Sequence, residues 1–144
     1  LIRNETHKSS LVQYIERGGV VWLNSEWMSF GCGNLSNVNE ILTGLGSAIR
    51  QGGVDENTQG NMTRSTDGPV VTSNFPATLH YNASATFSGG TAVYTVGTNV
   101  TAAYERVGLG LVYVTGDTNT FDPGNFSTVG QQIYSALRAL VLNS

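Results

Sequence analysis

Charge is scarce in this chain. Only 12% of its 144 residues are Asp, Glu, Lys or Arg, and Lys8 is the single lysine. A typical globular protein carries about 25%. Seven basic residues spread along the chain cannot displace the phosphate counterions on which nucleic-acid binding depends, so no nucleic-acid partner is expected. Cysteine is nearly absent. Cys32 stands alone, which excludes an internal disulfide and with it a small disulfide-stapled scaffold. No apolar run approaches the ~18 residues of a spanning helix, so no membrane span is expected.

Uncharged polarity takes the place of charge. Gly, Ser, Thr and Asn make up 60 of the 144 residues, and the net charge is −3. Mean hydropathy is −0.08 and the isoelectric point is near 5.2. The length fits one α/β domain over residues 1–144, large enough for a core of its own. Hydroxyls and amides wet a surface without a strong field, a composition common in extracellular, cell-surface and virion proteins. Six Asn-x-Ser/Thr sequons occur, at Asn4, Asn34, Asn61, Asn82, Asn99 and Asn125. Chance gives about 2.6 at this composition. Their use as glycosylation sites is conditional on a eukaryotic secretory route. The chain opens on Leu1 with no signal peptide, so a processed product or a fragment of a longer polypeptide is expected.

Periodicity then gives the elements. Residues 6–17 read as a helix, with Leu11, Val12 and Ile15 on one stripe and Gly18-Gly19 as its stop. Val20-Val21-Trp22-Leu23 reads as a strand covered on both faces. Asn37-Val38-Asn39-Glu40 has capping-box spacing and opens a helix carrying Val38, Ile41, Leu42, Leu45 and Ile49, closed by Gln51-Gly52-Gly53. Residues 54–68 are polar and aperiodic and read as a long loop. Short β signals fill 69–107, with turns at Gly89-Gly90 and Gly97-Thr98-Asn99. Leu109–Thr115 is a stronger strand, and 127–142 is a helix with Ile133, Leu137, Leu140 and Val141 buried.

Three segments carry a family likeness. They are Tyr14-Ile15-Glu16-Arg17-Gly18-Gly19 with the strand after it, Gly108-Leu109-Gly110-Leu111-Val112-Tyr113-Val114-Thr115-Gly116-Asp117, and the closing helix from Asn125 through Leu137. Together they resemble the glutamine-amidotransferase-like superfamily. The resemblance implies a flavodoxin-like layered α/β fold: a mainly parallel sheet, helices on its faces and a β-rich insertion at about 69–107. It also implies a first strand that this chain lacks, to be supplied by an upstream segment or by other protein chains, since an uncovered sheet edge invites pairing. The catalytic pattern departs from the family. Gly31-Cys32-Gly33 lies in a loop well past the strand, and neither His7 nor His80 is followed by x-Glu.

Several residues remain as candidates for chemistry. Cys32, His80 and Asp117 would make a nucleophile, base and orienter if the fold joined them; otherwise Cys32 is a small buried hydrophobe. Asp117, Asn119 and Asp122 follow the last strand and have oxygen ligands suited to Ca²⁺, the one cofactor weighed, or else serve turn chemistry. Residues 55–60 have a faint calcium-loop look, but Thr66 at the twelfth position cannot chelate bidentately. Trp27 and Phe30, with Glu26 beside them, could bind a glycan or small ligand; the alternative is packing onto the sheet end. The expected function is a non-catalytic structural or recognition domain of an extracellular, cell-surface or virion protein. The alternatives are a hydrolase using Cys32 or a metal near Asp117, and a glycan- or small-ligand-binding module.

Overall fold

The computed structural model describes residues 5–27, 35–66, 74–121 and 126–143. Helix α1 (Glu5–Glu16), strand β1 (Val20–Asn24) and helix α2 (Leu35–Gly44) come first. Strands β2 (Arg50–Arg64), β3 (Thr78–Ser88), β4 (Thr91–Val96), β5 (Asn99–Val107) and β6 (Gly110–Thr115) follow. A 3₁₀ turn (Thr118–Phe121) and helix α3 (Phe126–Leu142) complete the order. The six described strands form one sheet in the order β1-β6-β5-β4-β2-β3.

That order corrects the expected fold class. Only β1 and β6 run parallel; β5–β6, β4–β5, β2–β4 and β2–β3 are antiparallel. The sheet is mixed, not the mainly parallel one of a flavodoxin-like fold. The physical reason lies in the connections. Two residues join β4 to β5 (Gly97-Thr98) and β5 to β6 (Gly108-Leu109). A parallel crossover needs a dozen or more residues, so connections this short reverse the chain. Nor are the strands within 69–107 an insertion: β4 and β5 sit in the middle of the sheet.

Two further expectations change. Residues 54–64 belong to β2 and are not loop. The pairing of β2 with β3 shifts register twice, between Gln51 and Asp55 and between Glu56 and Gln59. Each shift breaks the alternation that would mark a strand. Helix α2 ends at Gly44, so Ile49 is not on it. Gly46 takes φ +80° just beyond the helix, and the Glu105 carboxylate receives both Ser47 Oγ and the Ala48 amide at 2.7 Å. Those bonds turn the chain into β2, which starts at Arg50.

The sheet separates two cores. Tyr94, Tyr113 and Phe75 pack with Ile133, Leu137 and Leu140 of α3 on one face. Ile15 of α1 and Leu42 of α2 pack with Ile49, Val112 and Val114 on the other. β6 is buried at every position, which explains its unbroken apolar run. β1 is different. It lies at the edge of the described strands, and Val20, Trp22 and Leu23 are only half-buried.

Candidate functional site

The carboxyl ends of β1 and β6 gather most of the candidate residues. Asp117 is fully buried there. Its Oδ2 accepts the Asn82 amide of β3 at 2.6 Å, and its Oδ1 accepts the Asn119 amide at 2.7 Å. Burial raises its pKa above the ordinary carboxylate value; the two amide bonds pull the other way, and nearby Glu26 adds to the rise. Asp117 therefore fastens β3 to the turn after β6. His80 is exposed on β3, and its carbonyl accepts Thr120 Oγ1 at 3.0 Å. Glu26 links the segments after the two parallel strands: its Oε1 accepts the Trp27 amide at 2.9 Å and its Oε2 accepts Thr118 Oγ1. Trp27 is half-buried.

Cys32, Phe30 and Asp122 lie outside the described residues, as do Asn4, Asn34 and Asn125. Among the described residues, no three His, Cys, Asp or Glu side chains converge as a metal site would require. Asn61 and Asn82 are exposed on β2 and β3, while the Asn99 amide donates to Glu56 Oε2 at 3.0 Å.

A polar seam continues beneath these groups. Ser25 donates its amide to the Thr115 carbonyl at 2.7 Å and its hydroxyl to Gln51 Oε1 at 2.6 Å. The Gln51 backbone is bracketed by the Asn39 side chain, which receives its N–H at 2.7 Å and donates to its carbonyl at 3.2 Å. Gln51 and Asn39 carried no functional signal in the sequence, because Gln51-Gly52-Gly53 looks like a helix stop. Their work is to tie α2 and β2 to the end of β1.

The second feature is the side of β1 turned away from β6. Gly19 O accepts the Leu111 amide and Ser25 N–H reaches Thr115 O, so the odd-numbered residues of this segment bond inward to β6. The N–H and C=O groups of Val20, Trp22 and Asn24 consequently point outward. Beside them lies a groove of about 430 Å³ between the end of α1 and α3. Tyr14, Tyr134 and Leu142 line it, and they are three of the four exposed large apolar side chains among the described residues. Val20, Trp22 and Arg138 also line it. Scattered exposed apolar groups are ordinary, but a cluster beside an open strand edge marks an interaction surface.

No helix among the described residues is long and apolar enough to cross a membrane. The candidate groups that are described hold the fold together: Asp117 and Glu26 spend their oxygens on neighbouring segments.

No protein-family model matches the chain, and no curated protein matches it. Among solved structures, the mmIFT52 N-terminal domain superposes with a TM-score of 0.63 over 94% of this chain and 72% of its own, at 16% identity. This finding and the mixed sheet overturn the glutamine-amidotransferase-like resemblance. The segments behind that resemblance are glycine punctuation that close backbone approach demands of any such sheet. At Gly110, a Cβ would fall 2.3 Å from Gly19 O; at Gly116, 2.2 Å from Ala85 O. The extracellular, cell-surface or virion setting is withdrawn as well: uncharged composition and sequons are reserved to no compartment, and the fold they were attached to is instead that of the mmIFT52 N-terminal domain. At this identity the likeness establishes the fold: the chain shares the architecture of the mmIFT52 N-terminal domain.

Proposed function

We propose that this chain is a non-enzymatic scaffold domain that takes up a further β-strand, from another chain or another segment of its own polypeptide, on the side of β1 turned away from β6. The observation that carries the reading is the edge itself. Val20–Asn24 contains no charge, no proline and no bulge, the devices by which sheet edges are ordinarily protected. Its outward backbone groups sit beside the apolar groove of Tyr14, Tyr134 and Leu142. Strand addition would engage the outward groups of Val20 and Asn24 in main-chain hydrogen bonds, while the groove would accept side chains from the added strand.

A tethered strand tests this. Leu142 lines the groove, so a seven-residue Val/Thr strand on a flexible Gly/Ser linker after Asn143 starts close to the edge. Amide exchange at Val20 and Asn24 is expected to slow in the tethered protein. Val20→Pro removes an outward donor at the first position of the strand and is expected to abolish the effect. Unchanged exchange at both amides in the tethered protein would refute the reading.

A further inference from the structure

At the other end of the described sheet from β1, and independently of it, we infer that the turn after β6 is a proton-responsive clasp on β3, with Ala83 as its hinge. β3 is the last strand in the order, yet the side it turns away from β2 is engaged. Asn82 donates its amide to Asp117 Oδ2 at 2.6 Å, and Ala85 donates its own to the Gly116 carbonyl at 2.8 Å. The His80 carbonyl accepts Thr120 Oγ1 at 3.0 Å. Asp117 also holds its own turn through the Asn119 amide at 2.7 Å.

These contacts require a break in the strand. In regular β-structure the N–H groups that point to one side belong to residues an even number apart. Asn82 and Ala85 are three apart, and both donate to the turn. Ala83, at φ 60°, supplies the change of parity, and it is the one non-glycine residue with positive φ among the described residues. β2 answers with an extra residue, since Glu56 faces Ser84 while Gln59 faces Asn82. A left-handed alanine persists only where its surroundings impose it. If Ala83 relaxes to ordinary strand geometry, either Asn82 or Ala85 swings away from the turn. The clasp therefore opens as a unit and uncovers the outer side of β3.

The response to protons follows from the position of Asp117, whose carboxyl is fully buried. Glu26, from the segment after β1, opposes its charge, and His80 of β3 favours it. The 3₁₀ turn presents no charged side chain. On β2, Asp55 and Glu56 stand opposite Ala85 and Ser84; Glu56 accepts Thr58 Oγ1 at 2.8 Å and the Asn99 side-chain amide at 3.0 Å. Burial outweighs the two amide bonds and raises the Asp117 pKa in the closed clasp. Opening wets the carboxyl and returns it toward its ordinary value. The contribution of this proton to closure is fully present below that ordinary value and is lost as pH rises through the closed one. The clasp is tightest in acid and loosens toward neutral pH.

Amide exchange on the intact chain tests this, measured from below the ordinary carboxylate pKa to neutrality. Each rate is divided by the intrinsic rate at the same pH, so that hydroxide catalysis cancels. Asn82, Ala85 and Asn119 are expected to share one opening, to be less protected than β6 and to lose protection as pH rises. Asp117→Asn should remove that pH dependence at the three amides, while His80→Gln, at an exposed position, should keep it. Ala83→Gly should raise protection at the three amides about two- to fivefold, because glycine cancels the strain that opening relieves. Exchange of the three amides only as fast as β6 overturns the clasp. So does a pH dependence that survives Asp117→Asn or vanishes with His80→Gln. A gain in Ala83→Gly that is confined to β6 overturns the hinge. Should Asp117→Asn fail to fold, the Ala83→Gly and His80→Gln measurements still decide.

Discussion

Trp22 and Tyr113 are register partners across the one parallel pair among the described strands, and their rings meet edge to face at 5.5 Å between centroids and 69° between planes. The contact joins β1 to its neighbour β6. Phe75 continues the aromatic row, 5.8 Å from Tyr113. Such pairs add about 0.5–1.5 kcal/mol beyond the area they bury.

Tyr113 should be improved by losing its hydroxyl. Its Oη is buried with no partner among the described residues, and burial pushes the phenol pKa well above the usual value, with Tyr94 adding to the rise. Tyr113→Phe keeps the ring contacts and removes an unpaired polar atom. A gain of about 1 kcal/mol is expected. A higher urea midpoint at unchanged slope would show it; a loss of stability would reveal a partner for the hydroxyl.

Asp117→Asn should destabilise, and more so in acid. An amide in place of the carboxylate turns one of two acceptors toward a backbone N–H as a donor, at a cost of about 1–3 kcal/mol. The pH dependence follows from the raised pKa of Asp117. The folded wild type holds this proton more tightly than the unfolded chain. Its contribution is thus fully present below the unfolded pKa and is lost as pH rises through the folded one. The penalty of the substitution should grow as pH falls from 7 through the folded pKa. A penalty that shrinks in acid would contradict it.

Ala83→Gly should stabilise. Ala83 holds φ 60° within β3, between the Asn82 amide that meets Asp117 and Ser84. The left-handed conformation costs an alanine about 1–2 kcal/mol, while glycine loses about 0.5–1 kcal/mol of extra chain freedom. A net gain of about 0.5–1 kcal/mol is expected in thermal or urea unfolding. A clear loss would mean that the Ala83 methyl packs more than its backbone strains.

Two glycine substitutions should separate space from conformation. At Gly97, with φ +58°, an added Cβ meets nothing within 4 Å, so Gly97→Ala should cost about 1 kcal/mol. At Gly110, the Cβ would lie 2.3 Å from Gly19 O and 2.4 Å from Ile15 O. Both obstacles are backbone, so Gly110→Ala should cost about 3 kcal/mol or more. Similar losses at the two sites would show that the α1–β6 approach yields more easily than its geometry implies.

β1 should tolerate proline on one parity only. Val20→Pro removes an outward N–H at a strand start and should cost about 1 kcal/mol or less. Val21→Pro removes a donor on the side facing β6 and should cost about 3 kcal/mol. Equal losses would show that the inward and outward parities are not as assigned.

Much of this fold is legible in residue order because its causes are local. The apolar stripes of α1 and α3 follow from helical spacing. Gly97-Thr98 and Gly108-Leu109 are too short for anything but reversal, so they already dictated antiparallel neighbours; the expectation of a mainly parallel sheet came from apolar runs and a family likeness that outweighed them. Gly110 and Gly116, by contrast, are set by the distant backbones of Gly19 and Ala85 that approach them. Other features depend on partners distant in sequence. β2 carries no readable period, because its register shifts are accommodated only by β3. The apolar run of β1 resembles that of β6, yet one lies at the edge of the described strands and the other between β1 and β5, a difference that pairing order alone creates. The sequence by itself determined α1, α3 and the short reversals, since neighbours along the chain control them. The tertiary structure decided that Asp117 is a fastener, that Gln51 belongs to a seam and that β1 faces outward, since each depends on groups that folding alone brings within bonding distance.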